Sequence, residues 1–366
     1  VSNWRARWIA WRNARISDPR FQRFAADFPF TRPIAHSRAS GLFDVVAGFV
    51  YSQVLTACVQ LDLLNILKSG PLNVDELAAA LDVRPAEMAR LLRAAAALDL
   101  VEAIGERYAL GAQGAALLGN AGLAEMIRHH ARLYADLQDP VALLRRGRGE
   151  NLAGYWPYAT LQDPENTEDS GVSAYSALMA ATQPSVASDI LRAYAMRGHR
   201  RVMDIGGGEG AFLAAVGARW PHLHLHLFDL PAVAQRARTV LAAHSVRATI
   251  SEGSFLRDPL PAGADLMTLV RVLHDHDDAG VARILASVKV ALPAGGRLLI
   301  AEPMSAAPRK DRVSDAYFGL YLLAMGRGRA RTPRELQAFL QQAGFQRIRM
   351  LHVRTPGLLR VMIASA

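Results

Sequence analysis

VMDIGGGEGAF, residues 202–212, runs an apolar strand directly into a glycine-rich turn. Glycines at 206, 207, 208 and 210 let the backbone turn tightly and approach a ligand, while a helix opening near Glu209 turns its free N–H groups toward whatever binds. Gly206, Gly208 and Ala211 also satisfy G-x-G-x-x-G/A, so the loop alone does not separate a dinucleotide from another adenosine ligand. Downstream, LHLFDLP closes a second strand on Asp229, where a carboxylate can accept both hydroxyl hydrogens of a ribose. The segments RRVMDI, LHLHLFDL, RATISEGSF, ADLMTLVRVL and GGRLLIAEP alternate with helical patterns. That alternation predicts an α/β domain, a Rossmann-like parallel sheet covered by helices on both faces.

The rest of the chain narrows the classes. Its 366 residues, 51% hydrophobic and 20% charged, suffice for two domains with their own cores. Cys58 has no second cysteine to pair with, so neither an internal disulfide nor a cysteine-based zinc cluster can be built, and a cytoplasmic compartment fits. Residues 41–67 form the longest apolar stretch, but Asp44, Gln53, Gln60 and Asp62 cut it short of the ~20 clean apolar residues of a spanning helix. The amino end, VSNWRARWIAWRNARI, never presents the continuous apolar core of a secretory signal.

Much of the formal charge of +9 sits at the front, where eight arginines before residue 40 face only Asp18 and Asp27. Trp4, Trp8 and Trp11 follow i, i+4, i+7 spacing and on a helix form one aromatic ridge flanked by arginines. Two readings stand: a helix lying in a lipid interface, or one packed on the body of the protein or on a second subunit. Nucleic acid fits less well, because the remainder of the chain has no basic track.

Residues 71–119 read as a winged helix-turn-helix: PLNVDELAAALDV and RPAEMARLLRAAAALDLV give two helices, and EAIGERYAL a two-stranded wing. The second helix carries Arg84, Arg90 and Arg93, yet presents AAAAL where a DNA-reading helix would offer polar side chains, so a packing role is expected. RRGRGENLAG and LQDPENTEDSG, within residues 140–172, read as a linker region. The expected organisation is therefore a basic extension over 1–40, a winged-helix domain with its linker over 41–170, and the α/β domain over 171–366. TPRELQAFLQQAGF announces a helix, with Thr332 as N-cap, Glu335 closing a capping box and Gly344 at the end.

RVLHDHDDAG, residues 271–280, packs two histidines and three aspartates into five positions. His274 follows a strand and Glu302 ends the next, which brings both to the carboxyl edge where open α/β sheets bind ligands. The ordered set DIGGGEG, FDLP, EGSF, VLHDHDD and LLIAEP resembles the S-adenosylmethionine-dependent O-methyltransferases that include plant caffeate-type enzymes and many bacterial relatives. With the winged helix as dimerisation domain, the resemblance covers residues 41–366. It implies a homodimer and S-adenosylmethionine as cofactor, bound by Asp204, Gly206, Gly207, Gly208, Asp229, Leu230, Ser254, Phe255 and Arg271. It also implies His274 as the base and Glu302 as the carboxylate that orients it. No metal is called for, since the sulfonium already activates the methyl group. His222, His224 and His226 read as ordinary sheet positions.

Two departures stand out. Ser254 replaces the family's usual aspartate, and Ala330 stands where many members carry a second catalytic glutamate, so His274 is expected to be supported from one side only. The amino-terminal half, WRNARISDPRFQRFAADFPFTRP followed by GLFDVVAGFVYSQVL, resembles the carotenoid branch of the family, hydroxyneurosporene or demethylspheroidene O-methyltransferases of photosynthetic purple bacteria. That branch implies transfer to the tertiary C1 hydroxyl of an acyclic carotenoid, with Met179, Tyr317, Tyr321 and Met325 as apolar lining. It also implies a reason for residues 1–30 to contact a membrane, peripherally on the cytoplasmic side. Sister readings are a bacteriochlorophyllide or phenol acceptor, an NAD enzyme, and a winged-helix ligand-sensing regulator.

Overall fold

The structure, a computed structural model, describes residues 3–155, 169–306, 311–354 and 359–366. Most of LQDPENTEDSG lies outside the described residues. The chain divides into two compact units, Val1–Gly119 and Asn120–Ala366. The division falls well before the linker expected near residue 170, because helix Ala121–Leu137 packs on helix Asp169–Ala193 and so belongs with the second unit.

The first unit contains the winged helix. Asn73 caps helix Val74–Leu81 in a capping box with Glu76, and helix Pro85–Ala97 follows with its proline in the first turn. Leu77, Met88, Leu92 and Ala95 have no exposed surface, so the alanine-rich helix packs, as its composition requires. The wing pairs β2 (Val101–Ile104) with β3 (Arg107–Leu110), and a short strand, β1 (Leu72–Asn73), adds to β3.

Upstream, helices Asn3–Ser17 and Pro19–Asp27 lead into one unbroken helix, Arg32–Gln60. This last helix is long and apolar enough to cross a membrane by length and composition, contrary to the sequence expectation. It begins before residue 41, and its polar side chains are spread too thinly to break the apolar run. Trp4, Trp8 and Trp11 are 69%, 50% and 61% exposed, so the aromatic ridge is largely open, with the Arg12 guanidinium over the Trp8 ring at 5.0 Å.

The second unit holds a seven-stranded sheet in the order β6-β5-β4-β7-β8-β10-β9. β4 (Arg201–Ile205), β5 (His224–Asp229), β6 (Ala248–Glu252), β7 (Leu266–Val270) and β8 (Arg297–Glu302) are parallel. The all-parallel expectation fails at one edge: β10 (Arg360–Ser365) runs antiparallel to both β8 and β9 (Gln346–Leu351). Only eight residues join β9 to β10, too few for the crossover that a parallel pair requires.

Successive residues of the central strands feed opposite cores. Met203, Ile205, Met267, Leu269, Leu298 and Ile300 pack on one face with Ile284, Leu285, Leu336 and Leu340. Val202, Leu266, Val270 and Leu299 pack on the other with Phe212, Leu213 and Leu241. Burial on both faces is why these strands read as continuous apolar runs. Thr332 and Glu335 form the expected capping box of helix Pro333–Gln342. Leu269 lies at the centre of this packing with no exposed surface. Leu269→Ala is expected to cost the catalytic unit about 2–5 kcal/mol in urea denaturation; a loss below about 1 kcal/mol would show that this layer does not carry the fold.

Candidate active site

The sheet order reverses between β4 and β7, and the crevice outside the carboxyl ends of such neighbours is where ligands of open α/β sheets bind. β4 delivers the loop of Gly206, Gly207 and Gly208. Gly206 has φ +67° and donates its N–H to Phe228 O at 2.9 Å. A Cβ there would stand 3.0 Å from the Val272 side chain, so both conformation and space select glycine.

Two buried carboxylates face this loop. Asp204 Oδ1 accepts from Thr268 Oγ1 at 2.6 Å across paired strands, while its Oδ2 is buried without a partner among the described residues. Burial pushes the Asp204 carboxyl up to about 7 against the pull of the Thr268 bond, and the neighbouring charge of Asp229 adds to the rise. Asp229 accepts from the N–H groups of Gly208 at 2.8 Å and Leu230 at 2.7 Å. Burial nevertheless raises it to about 6. Ser254 and Phe255 occupy the turn after β6, and the Phe255 ring meets His276 edge-on at 5.4 Å.

His274 sits on a single 3₁₀ turn, Leu273–Asp275, just beyond β7. The chain leaves the strand through Arg271, which has φ +57° and donates its N–H to Ala301 O at 2.8 Å. The Arg271 guanidinium reaches Thr182 Oγ1 at 2.7 Å, Met179 O at 3.1 Å and Gln183 Oε1. It therefore ties the turn after β7 to helix Asp169–Ala193 and brings the Met179 carbonyl alongside it. Glu302 Oε2 accepts the His274 backbone N–H at 3.0 Å and lies 3.6 Å from Nδ1, an ion-pair distance.

Nε2 of His274 is 3.1 Å from Asp275 Oδ1, so the ring stands between two carboxylates. The one-sided support inferred from Ala330 is thus corrected: the second carboxylate comes from the adjacent residue, which the 3₁₀ turn folds back onto the ring. Burial opposes the charged ring, but Asp275 and Glu302 together outweigh it and raise His274 to about 10.

Tyr317, Tyr321 and Met325 gather elsewhere in this unit, with Leu133, Leu143, Leu152 and Leu322 around them and Ala330 against the same cluster. The tyrosine rings stack at 5.8 Å. Their hydroxyls pair with His130 Nε2 at 2.8 Å and His129 Nε2 at 3.0 Å, both on helix Ala121–Leu137. Burial, with smaller contributions from His130 and Arg132, lowers His129 to about 4, and burial lowers His130 as well. Nothing in the sequence paired these histidines with those tyrosines. They are almost two hundred residues away along the chain, and adjacent histidines carry no periodic signal.

With this geometry in place, the chain matches an O-methyltransferase domain over residues 134–346 and an O-methyltransferase dimerisation domain over residues 43–120. Demethylspheroidene O-methyltransferase of Cereibacter sphaeroides is 46% identical, over 95% of this chain and 91% of that protein. The enzyme of the same name from Rhodobacter capsulatus is 44% identical, over 92% of this chain and 83% of its own length. In fold, the chain is similar to human N-acetylserotonin methyltransferase crystallised with S-adenosylmethionine, with a TM-score of 0.75, 23% identity, and 90% and 97% of the two chains covered. The crevice suits that molecule: Asp204 offers a buried acceptor without a partner among the described residues, and the carboxylates of Asp204 and Asp229 favour a cation. The chain belongs to the S-adenosylmethionine-dependent O-methyltransferases, a homodimer by its dimerisation domain, with S-adenosylmethionine as methyl donor.

Proposed function

We propose that this enzyme methylates the tertiary C1 hydroxyl of an acyclic hydroxycarotenoid, with His274 receiving the proton. The observation that carries the acceptor is the identity of 46% and 44% to two demethylspheroidene O-methyltransferases over nearly the whole chain. The aromatic cluster of Tyr317 and Tyr321 supports it, since pairing with His130 and His129 satisfies their hydroxyls and leaves the rest of each ring apolar.

When bound, S-adenosylmethionine supplies an electrophilic methyl group on a positively charged sulfur. The residues of the chain do the rest. Asp204, the loop Gly206–Gly208 and Asp229 with Leu230 hold and orient the donor, with Ser254 and Phe255 at the adenine end. His274 stands at the same sheet edge, between Asp275 and Glu302. A tertiary alcohol is too weak an acid for imidazole to ionise beforehand, so the proton leaves oxygen as the O–CH₃ bond forms and passes to His274. Alignment then supplies most of the acceleration.

The receiving ring must be neutral. In the unliganded protein the two carboxylates keep His274 protonated at pH 7, and a cation held by Asp204 and Asp229 works against that charge. Turnover is therefore expected to climb as pH rises above 7, with a midpoint below about 10. His274→Ala should abolish this limb and most turnover while leaving cofactor affinity intact; wild-type turnover in that variant would sink the base assignment. The charge pairing also stabilises the fold, fully below the ring's ordinary 6.5 and less as pH rises through about 10.

Acceptor class is tested by offering a detergent-dispersed 1-hydroxy acyclic carotenoid, a catechol and a bacteriochlorophyllide side by side with labelled methyl donor. Label is expected in the carotenoid. Label in either competitor and none in the carotenoid would overturn the acceptor while leaving the methyltransferase in place.

The enzyme is cytoplasmic and peripheral on the cytoplasmic side of the photosynthetic or inner membrane, where such an acceptor dissolves. Residues 1–30 support this, with six arginines against two aspartates and exposed tryptophans interleaved among them. Phe24, Phe28 and Phe30 extend the aromatic surface at 58%, 40% and 82% exposure. Basic residues at an anionic surface contribute about 1 kcal/mol each. Removing residues 1–30 should leave a folded, cofactor-binding dimer that no longer sediments with anionic vesicles at low salt. Unchanged sedimentation would remove the arm from membrane contact.

A further inference from the structure

We propose that Arg331 is a positioning residue for methyl transfer, fixing the turn that carries His274 by gripping the backbone on both sides of it. The inference rests on the reading of His274 as proton acceptor. Arg331 is the largest fully buried side chain, with no exposed surface, so it reaches the reaction only through what it holds. Its Nη1 donates to Leu273 O at 2.9 Å and its Nη2 to His276 O at 2.7 Å, one residue before His274 and two after it. Nε and Nη2 also reach Asp278 Oδ1, at 3.0 and 2.7 Å. The guanidinium lies 5.7 Å over the Phe339 ring.

A guanidinium withdrawn from water is costly to fold around unless its donors are met, and an apolar side chain would fill the same volume at less cost. What only the charged fork brings is a pair of directed donors for two carbonyls of one short turn. The turn needs them, because its own backbone closes with two long bonds, Asp275 N–H to Val272 O and His276 N–H to Leu273 O, each at 3.2 Å.

The loop around Arg331 is built for close approach. Gly328 has φ +80°, and a Cβ there would fall 2.1 Å from His274 O, so the loop lies directly against the turn. Arg329 holds the other oxygen of Asp278 at 3.1 Å and Glu335 at 2.7 Å, while Arg331 O accepts from Ser305 N–H at 3.0 Å. The loop thus acts on the histidine through the backbone of its turn. A shift of about 1 Å in a reacting group can cost about 100-fold in rate.

The test uses the full-length homodimer. Arg331→Lys keeps the charge and loses the fork; Asp278→Asn loosens the same clamp from its exposed end. Each is compared with wild type for kcat, acceptor KM, cofactor dissociation constant, melting temperature and the NMR titration of the His274 ring, alone and combined with His274→Ala. Arg331→Lys is expected to lower kcat by about 10- to 100-fold, with cofactor affinity unchanged. It should also shift the His274 titration and cause no further loss once His274 is alanine. Asp278→Asn should show the same pattern more weakly, and it decides the matter if the lysine variant does not fold. Wild-type kcat with an unshifted His274 titration would overturn the proposal, as would an equal loss with and without His274. Should His274→Ala itself turn over normally, the base assignment fails, and the ring titration alone then judges Arg331: an unshifted titration overturns it.

Discussion

The parallel pairing of β7 with β8 is the constraint from which the site follows. Val270 stands opposite Ala301, so the residues just beyond each, Arg271 and Glu302, reach one edge of the sheet together. A slip of one residue would turn every side chain of the strand to the other face, sending Leu269 and Ile300 out of their core and Glu302 away from the histidine. Register is secured by apolar packing on both faces, well away from the chemistry. Catalytic geometry is in this sense a by-product of two hydrophobic layers.

On that frame carboxylates gather at the carboxyl edge. Asp204, Asp229, Asp275 and Glu302 are all buried there, with His274 between the last two and the Arg331 guanidinium behind its turn. Such a crevice is costly when empty, and burial lifts the carboxyl groups of Asp204 and Asp229 far above their ordinary range. A cationic ligand relieves the same cost, so the field that weakens the free protein favours a sulfonium. The surface of the amino-terminal arm carries the opposite charge, with arginines among tryptophans. Charges of opposite sign thus occupy separate parts of the sequence.

The glycine loop, Asp229, His274 and Glu302 were legible in the sequence because each sits at a strand end, where local pattern and topology coincide. The capping box of Thr332 with Glu335 was legible for the same local reason. The antiparallel β10 was not, since RVMIAS is as apolar as its parallel neighbours and nothing in it records direction. Asp275 was hidden differently: neighbours on an extended chain point apart, and only the 3₁₀ turn brings its carboxylate back to the ring. Arg331, His129 and His130 act through tertiary contacts, and their residue types suggest solvent at least as readily as burial. The division at Gly119 was missed because a polar, glycine-rich stretch looks like a boundary, whereas boundaries follow packing.

Helix Arg32–Gln60 carries a further consequence. Leu42, Phe43, Val45, Val46, Phe49 and Val50 are exposed in a single chain, and from residue 43 onward they fall within the dimerisation domain. A newly made protomer therefore presents a bare apolar rod until a second copy arrives. Its survival is a matter of mass action: dilution lengthens the time spent unpaired, and pairing competes with chaperones and aggregation for the same surface. Abundance inside the cell becomes part of what keeps this protein folded.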